Sequence, residues 1–264
     1  MNYRSLRDFI TRLENEGRLL RVSEPVSTNL EMTEIQTRLL AERGPAVLFE
    51  KPLGADGKPA EMPVLVNLFG SIERVAWGMG REPGGLRELG ETLAFLRQPT
   101  PPQGLREAAE MLPLVKQALS MKPKRLSSGP VHEVVLEGEE ADLGRLPIQT
   151  CWPGEPAPLI TWPLVVTRGP GADKQDDYNL GIYRMQVTGP NTTLMRWLRH
   201  RGGAQQHRRW TEERREPLPV AVVIGADPGV ILAAVTPVPE TLSEYQFAGL
   251  LRGQKVELVK CKTV

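Results

Sequence analysis

The sequence predicts an α+β protein: an N-terminal α/β domain over residues 1–122, then a strand-rich domain over residues 123–264. Three observations predict it. Helix-period segments alternate with short apolar runs through the N-terminal part, as in α/β layouts. The stretch KPKRLSSGP, 122–130, has the composition of a linker. Beyond it, short runs rich in Val and Ile recur between Gly, Pro and Asp, which points to a barrel or a sandwich.

The elements follow in order. Ser5 is placed to cap a helix whose apolar face is Leu6, Phe9, Ile10 and Leu13, with Gly17 as its stop. Arg18 to Val22 reads as a strand. Met32, Ile35 and Leu39 mark one face of a second helix that ends at Gly44. Ala46–Phe49 and Val64–Val66 are strands by their apolar content. Helical patterns return at Ser71–Trp77 and at Leu86, Leu89, Leu93 and Leu96. QPTPPQ, 98–103, breaks the pattern. A further helix over Leu105–Leu119 is interrupted or kinked by Pro113. In the second domain, Val131–Leu136, Leu164–Thr167, Leu180–Val187, Val220–Ile224 and Val230–Val235 read as strands. A helix is expected within Thr193–Trp210, and GADPG, 225–229, as a turn between two strands. Thr236–Gly253 reads as a loop running into a helix, and Lys255–Lys260 as a last strand.

Composition excludes several function classes. A chain of 264 residues has room for one or two full cores. Its net charge of +1 gives no global field for nucleic acid or anionic membrane. Its two cysteines, Cys151 and Cys261, lack paired spacing, which fits a reducing compartment and disfavours a thiolate zinc site. The charged N-terminus is unlike a signal peptide. No apolar run approaches the roughly 20 residues that span a bilayer. The default location is cytoplasmic. No GxSxG, Walker A or GxGxxG context occurs.

Chemistry concentrates in DYNLGIYRMQVTGPNTTLMRWLRHRGGA, 177–204. Two readings stand side by side: an ordinary strand followed by an exposed basic turn, or a pocket for a flat, phosphate-bearing ligand. The mixture suits the second. Arginine forks pair with phosphate oxygens, and paired glycines let backbone N–H groups approach them. Asn179 and Arg184 are an odd number of positions apart, so a regular strand would put them on opposite faces. One pocket for both requires a bulge or twist, for which Gly181 is the natural place. His200, one of three histidines, sits beside Gly202 and Gly203. Glu244 also carries two readings. Thr241-Leu-Ser-Glu244 has the form of a capping box, while a helix N-terminus is also where an anion and its metal can sit. Convergence of Asn179, His200 and Glu244 would give a hard or borderline donor set suited to Mn²⁺ or Mg²⁺. The pairs Glu139-Glu140 and Glu212-Glu213 read as solvated.

DYNLGIYRMQ, MRWLRHRGGA, AAVTPVPETLSEYQFAGLLRG and ELVKCKTV resemble the UbiD family of prenylated-FMN-dependent decarboxylases, and so does the opening YRSLRDFITRLENEGRLLRV. The resemblance implies that the second domain is a split β-barrel that binds prenylated FMN. It implies non-oxidative decarboxylation of an aromatic acid of the 3-polyprenyl-4-hydroxybenzoate type, in ubiquinone biosynthesis. Asn179, His200 and Glu244 match the residues that hold Mn²⁺ against the cofactor phosphate, the His200 match needing a small gap. Ile182, Tyr183 and Arg184, then Arg196, Trp197 and Leu198, then Arg201 and Gly202, match cofactor-contact segments. Arg184 also matches the catalytic arginine. A potassium ion is implied near the Ala233–Thr236 backbone. A flavin prenyltransferase as cofactor supplier, a homo-oligomer, and peripheral membrane association through a lipophilic substrate are implied as well.

The resemblance runs to the last residues, whereas family members are nearly twice as long. The expectation is an N-terminal part of the enzyme with the barrel incomplete, the catalytic acid beyond Val264, and no turnover alone. Two other classes stay open: a flavin-binding or flavin reductase-like module, and a non-catalytic assembly fragment.

Overall fold

The computed structural model of the chain describes residues 3–97, 118–171, 177–238 and 242–264. The N-terminal part is organised around β3 (Ala46–Phe49), buried at every residue. A strand apolar on both faces must be central. It lies between β1 (Leu19–Val22), parallel to it, and β5 (Val64–Val66), antiparallel. Side-chain alternation sends Ala46 to one face and Val47 and Phe49 to the other. Helix α1 (Leu6–Asn15) covers the Ala46 face with Phe9 and Leu13, beside Trp77 of α3 (Ile72–Gly78). Helix α2 (Glu31–Ala41) covers the opposite face through Met32. A short parallel pair, β2 (Val26–Ser27) and β4 (Pro52–Leu53), flanks this sheet.

The helix starts follow from capping. The Ser5 hydroxyl accepts the Asp8 N–H, and the Ser71 hydroxyl accepts the Arg74 N–H. Arg74 itself is 2% exposed. Its guanidinium donates to the carbonyls of Leu68 (3.1 Å), Gly44 (3.0 Å) and Asn67 (3.1 Å). A buried charge held by oriented carbonyls clamps the loop entering β3 to the loop leaving β5.

Helix α4 (Gly85–Arg97) leads out of this layer, and its Leu89 joins the core of the second part. There, β8 (Leu164–Arg168) lies antiparallel between β9 (Tyr178–Ile182) and β12 (Ala221–Val223). A second sheet places β10 (Met185–Gly189) between β7 (Leu159–Ile160) and β11 (Thr192–Met195). The chain changes sheets three times: at the tight corners 161–163 and Tyr183–Arg184, as expected where strands switch between packed sheets, and between β11 and β12. The split-barrel expectation thus takes the form of two open three-stranded sheets sharing corners. Helices α5 (Gly202–Arg214), α6 (Pro228–Ala233) and α7 (Glu244–Arg252) complete this part. Leu164, Leu180, Val230, Ile231, Phe247 and Leu250 form its main core.

Several expectations are corrected. The 122–130 stretch is not a plain linker: β6 (Lys124–Leu126) pairs in parallel with β13 (Glu257–Val259). Val131–Leu136 is not a strand. Pro130 opens a 3-10 turn that fixes φ and lacks a ladder donor, and His132 is tied by its ring to the Lys260 carbonyl. Leu180–Val187 is two strands, broken at Tyr183–Arg184. Val230–Val235 is not a strand either, because Pro228–Ala233 is helical. The Asp227 carboxylate accepts the Gly229 and Val230 N–H groups, Pro228 fills the first turn, and the apolar residues pack into the core. Within Thr193–Trp210 the helix begins only at Gly202, since Thr192–Met195 pairs with β10. The break at 98–103 and most of the Leu105–Leu119 helix with Pro113 lie outside the described residues. Among those described, no helix is long and apolar enough to cross a membrane.

Candidate functional site

The site is built where β9 ends, α5 begins and α7 begins. In the β8–β9 ladder Thr167 lies opposite Asn179, so both side chains share a face, and the Asn179 amide donates to the Thr167 hydroxyl (3.3 Å). The Asn179 side-chain oxygen reaches across to the first residue of α5: a Cβ on Gly202 would fall inside that oxygen and 2.9 Å from the amide carbon. Gly202 is therefore required by a close approach. Gly203 is also packed against the Trp197 indole, 2.9 Å from a notional Cβ.

Glu244 opens α7, but it is not the capping residue. The capping box is Ser243 and Gln246: the Ser243 hydroxyl accepts the Gln246 N–H (3.2 Å) and the Gln246 side chain accepts the Ser243 N–H (2.9 Å). The expected Thr241–Glu244 box is thereby corrected, and Thr241 lies outside the described residues. The Glu244 carboxylate turns instead to β9 and accepts the Leu180 N–H (3.0 Å), one residue from Asn179. Burial pushes its carboxyl above the ordinary range, against the pull of the Leu180 N–H. A half-buried carboxylate in that state favours a cation.

The corner after β9 positions the remaining groups. Gly181 keeps regular register opposite Val165, so the expected bulge there is not formed and the break comes two residues later. Gly181 serves a different end: a Cβ on it would meet the Tyr183 ring at 2.7 Å, so its hydrogen lets that ring fold back. The Tyr183 hydroxyl accepts the Gly203 N–H (3.1 Å), and its ring meets Trp197 edge-on at 5.9 Å. Trp197 in turn meets His207 at 5.8 Å. The Trp197 indole N–H is buried with no hydrogen-bond partner among the described residues. Ile182 closes β9 opposite Leu164. Arg184 is exposed, its guanidinium 5.6 Å from the Trp152 ring centroid.

Arg196, Trp197 and Leu198 follow β11 and lead to Arg201, which caps α5 with no side-chain capping bond. The first turn of α5 carries no acidic residue. The Gly203 N–H is taken by the Tyr183 hydroxyl, but two glycines, neighbouring arginines and the absence of an acidic residue still leave an anion-receptive helix start. His200 is exposed two residues before Gly202; its carbonyl accepts from Gln205, while its ring makes no hydrogen bond or ion pair among the described residues. Contacts thus link Asn179 to Gly202, and Tyr183 to Gly203 and Trp197, while Glu244 reaches the backbone beside Asn179; His200 is near this set only by its place in the chain, two residues before Gly202. Glu139, Glu140, Glu212 and Glu213 are exposed, as expected.

No group of three or more His, Cys, Asp or Glu side chains gathers among the described residues. The donors present, an amide oxygen and a carboxylate, are hard oxygens that fit a Mn²⁺ or Mg²⁺ ion shared with a phosphate, not a self-sufficient protein cage. Thr167 and Trp152 were not singled out in the sequence. Period-2 alternation against Asn179 would have flagged Thr167; a tryptophan inside the Cys-Trp-Pro-Gly-Glu turn was the only sign of Trp152.

Comparison with known proteins identifies the two parts of the chain. Residues 123–264 match the UbiD family, 3-octaprenyl-4-hydroxybenzoate carboxy-lyase Rift-related domain. Residues 10–93 match the N-terminal domain of the same carboxy-lyases. Among solved structures, the UbiD-class enzyme HmfF from Pelotomaculum thermopropionicum in complex with FMN is 30% identical, with a TM-score of 0.77 over 98% of this chain and 51% of its own. An evolved dimeric form of that enzyme in complex with prFMN is 28% identical, with a TM-score of 0.78 over 99% of this chain and 54% of its own. Vanillic acid decarboxylase from Sedimentibacter hydroxybenzoicus, in closed form, is 26% identical, with a TM-score of 0.80 over 100% of this chain and 52% of its own. The chain spans about half the length of these structures. With most of its residues matched to the two domains, the chain belongs to the UbiD family.

Proposed function

We propose that this chain is the cofactor-binding portion of a non-oxidative decarboxylase that acts with prenylated FMN on an aromatic acid of the 3-polyprenyl-4-hydroxybenzoate type, in ubiquinone biosynthesis. One observation carries the reading. Glu244, released from capping, reaches β9 beside Asn179, whose side chain rests on Gly202 at the start of α5. That is a cation-and-phosphate arrangement at a helix N-terminus. Matched structures that hold FMN and prFMN support it.

In this reading Asn179 and Glu244 hold Mn²⁺ against the cofactor phosphate, with His200 completing the set from the loop ahead of α5. Arg196, Arg201 and the Gly202 backbone receive the phosphate, and Ile182, Tyr183, Trp197 and Leu198 line the flavin. Prenylated FMN, when bound, supplies the electron sink that loss of CO₂ from an aromatic ring requires. Arg184 grips the substrate carboxylate through its fork and favours the adjacent acid in its working protonation state. The carbonyl-rich end of α6, Ala233–Thr236, suits a potassium ion. The domains divide at 1–122 and 123–264. A flavin prenyltransferase supplies the cofactor, the enzyme works as a homo-oligomer in the cytoplasm, and a prenylated substrate draws it to the membrane surface.

A second reading, an assembly module, is favoured by exposed Val222 and Val223 on edge strand β12 and exposed Ile224 just after it. Arg184→Ala separates roles within the main reading. It should leave flavin retention unchanged and abolish binding of 4-hydroxybenzoate. Loss of flavin in that variant would make Arg184 a cofactor anchor and overturn its assignment.

A further inference from the structure

The backbone on either side of Trp152 is pinned. The Glu155 carboxylate accepts the backbone N–H groups of Cys151 (2.7 Å) and Trp152 (3.2 Å), and the Trp152 carbonyl accepts the Glu155 N–H (3.3 Å). Gly154 supplies the left-handed residue that the turn needs, at φ 81°. Upstream, Thr150 is fixed to the N-terminal part: its N–H donates to the Thr28 carbonyl (3.1 Å) and its carbonyl accepts the Leu30 N–H (2.9 Å). Cys151 is buried beneath, while the Trp152 ring stays 48% exposed. Over that ring lies the Arg184 guanidinium, 5.6 Å from the centroid.

We infer that Trp152 is a positioning residue for Arg184. A guanidinium is planar: its face can rest on an aromatic ring while its N–H donors stay free at the edge. A flexible side chain at an exposed corner would otherwise sample many rotamers. The Trp152 face restricts Arg184 to the subset that presents the fork, so less ordering remains to be done when a carboxylate arrives. Trp152 touches neither the carboxylate nor the cofactor in this role. The inference rests on the reading of Arg184 as the substrate carboxylate holder, and the experiment separates the two.

The probe is 4-hydroxybenzoate, titrated against the chain by ligand-observed NMR, with the Arg184 Nε–Hε resonance followed in ¹⁵N-labelled protein. Trp152→Leu should weaken binding about two- to fivefold, the scale of one exposed cation–π contact. It should also shift the Arg184 Hε signal by removing the ring current. Trp152→Phe, which keeps a ring, should restore most of both. In an Arg184→Ala background Trp152→Leu should add nothing. An unmoved Hε signal, unchanged affinity, or additive losses in the double variant would overturn the inference. If Arg184→Ala alone leaves binding unchanged, the carboxylate-holder reading fails, while the Hε shift still decides whether Trp152 positions Arg184.

Discussion

Gly202→Ala tests the site at its tightest point. The new methyl would fall inside the Asn179 side-chain oxygen and 2.9 Å from the amide carbon. Two reliefs exist. The amide can swing away and give up its 3.3 Å bond to Thr167, a loss of about 0.5–1.5 kcal/mol. Otherwise the start of α5 shifts, at the roughly 1–3 kcal/mol typical of overpacking. Alanine's helix preference returns at most about 1 kcal/mol. The net is a destabilisation of between about zero and 2 kcal/mol, at most roughly 8 °C in Tm. Binding should suffer more, because either relief displaces the proposed metal ligand. Mn²⁺ affinity, read from the free-ion EPR signal, should fall at least about tenfold, by analogy with disturbed metal shells. Flavin affinity, read from FMN fluorescence quenching, should fall with it. Gly90→Ala in α4, where a Cβ meets nothing within 4 Å, is the control and should be neutral or stabilising. A Gly202→Ala protein that binds Mn²⁺ and flavin like the wild type would refute the reasoning.

The other predictions concern buried charge. Glu244 has a raised carboxyl in the folded state, so its favourable contribution is complete below the unfolded value and is lost as pH rises through the raised folded value. Glu244→Gln, which keeps an acceptor for the Leu180 N–H, should therefore gain stability over the wild type as pH rises above the ordinary carboxylate range in urea unfolding; a gap that ignores pH would contradict this. Mn²⁺ affinity of the wild type should fall on acidification through the same range, and that dependence should vanish in Glu244→Gln. Arg74→Ala strands three carbonyls in the core and should cost about 3–5 kcal/mol by chemical denaturation; a loss below about 1 kcal/mol would show the clamp to be dispensable. Asp227→Ala removes the α6 cap and the 3.4 Å ion pair with Arg252, and should lower stability by about 2–4 kcal/mol, with Asp227→Asn retaining part of the cap.

What was legible in the sequence is what local chemistry dictates. Ser5 and Ser71 announce their helices by capping, and Ala46–Phe49 announces a central strand by having no polar face. The misreadings arise where distant partners decide. Lys124–Leu126 looks like linker because its stabilising neighbour, Glu257–Val259, lies at the other end of the second part. Leu180–Val187 reads as one strand because its apolar content is continuous, whereas the break at Tyr183–Arg184 is imposed by the transfer between two sheets. Val230–Val235 was read by its β-branched residues, although Asp227-Pro228 ahead of it was a helix-start signal in plain view. At the site, the residue types around 177–204 point to the proposed chemistry, but the release of Glu244 turns on Ser243 and Gln246 forming the box in place of Thr241 and Glu244. The Trp152–Arg184 contact joins two loops far apart in the chain and leaves no local trace.

The most direct test is the ligand released from the chain after co-expression with a flavin prenyltransferase and supply of Mn²⁺, identified by absorbance and mass. Prenylated FMN in near-stoichiometric amount, lost in Asn179→Ala and Glu244→Ala, is the predicted result. A folded chain that releases no flavin, or releases it equally from those two variants, would contradict the assignment of this site.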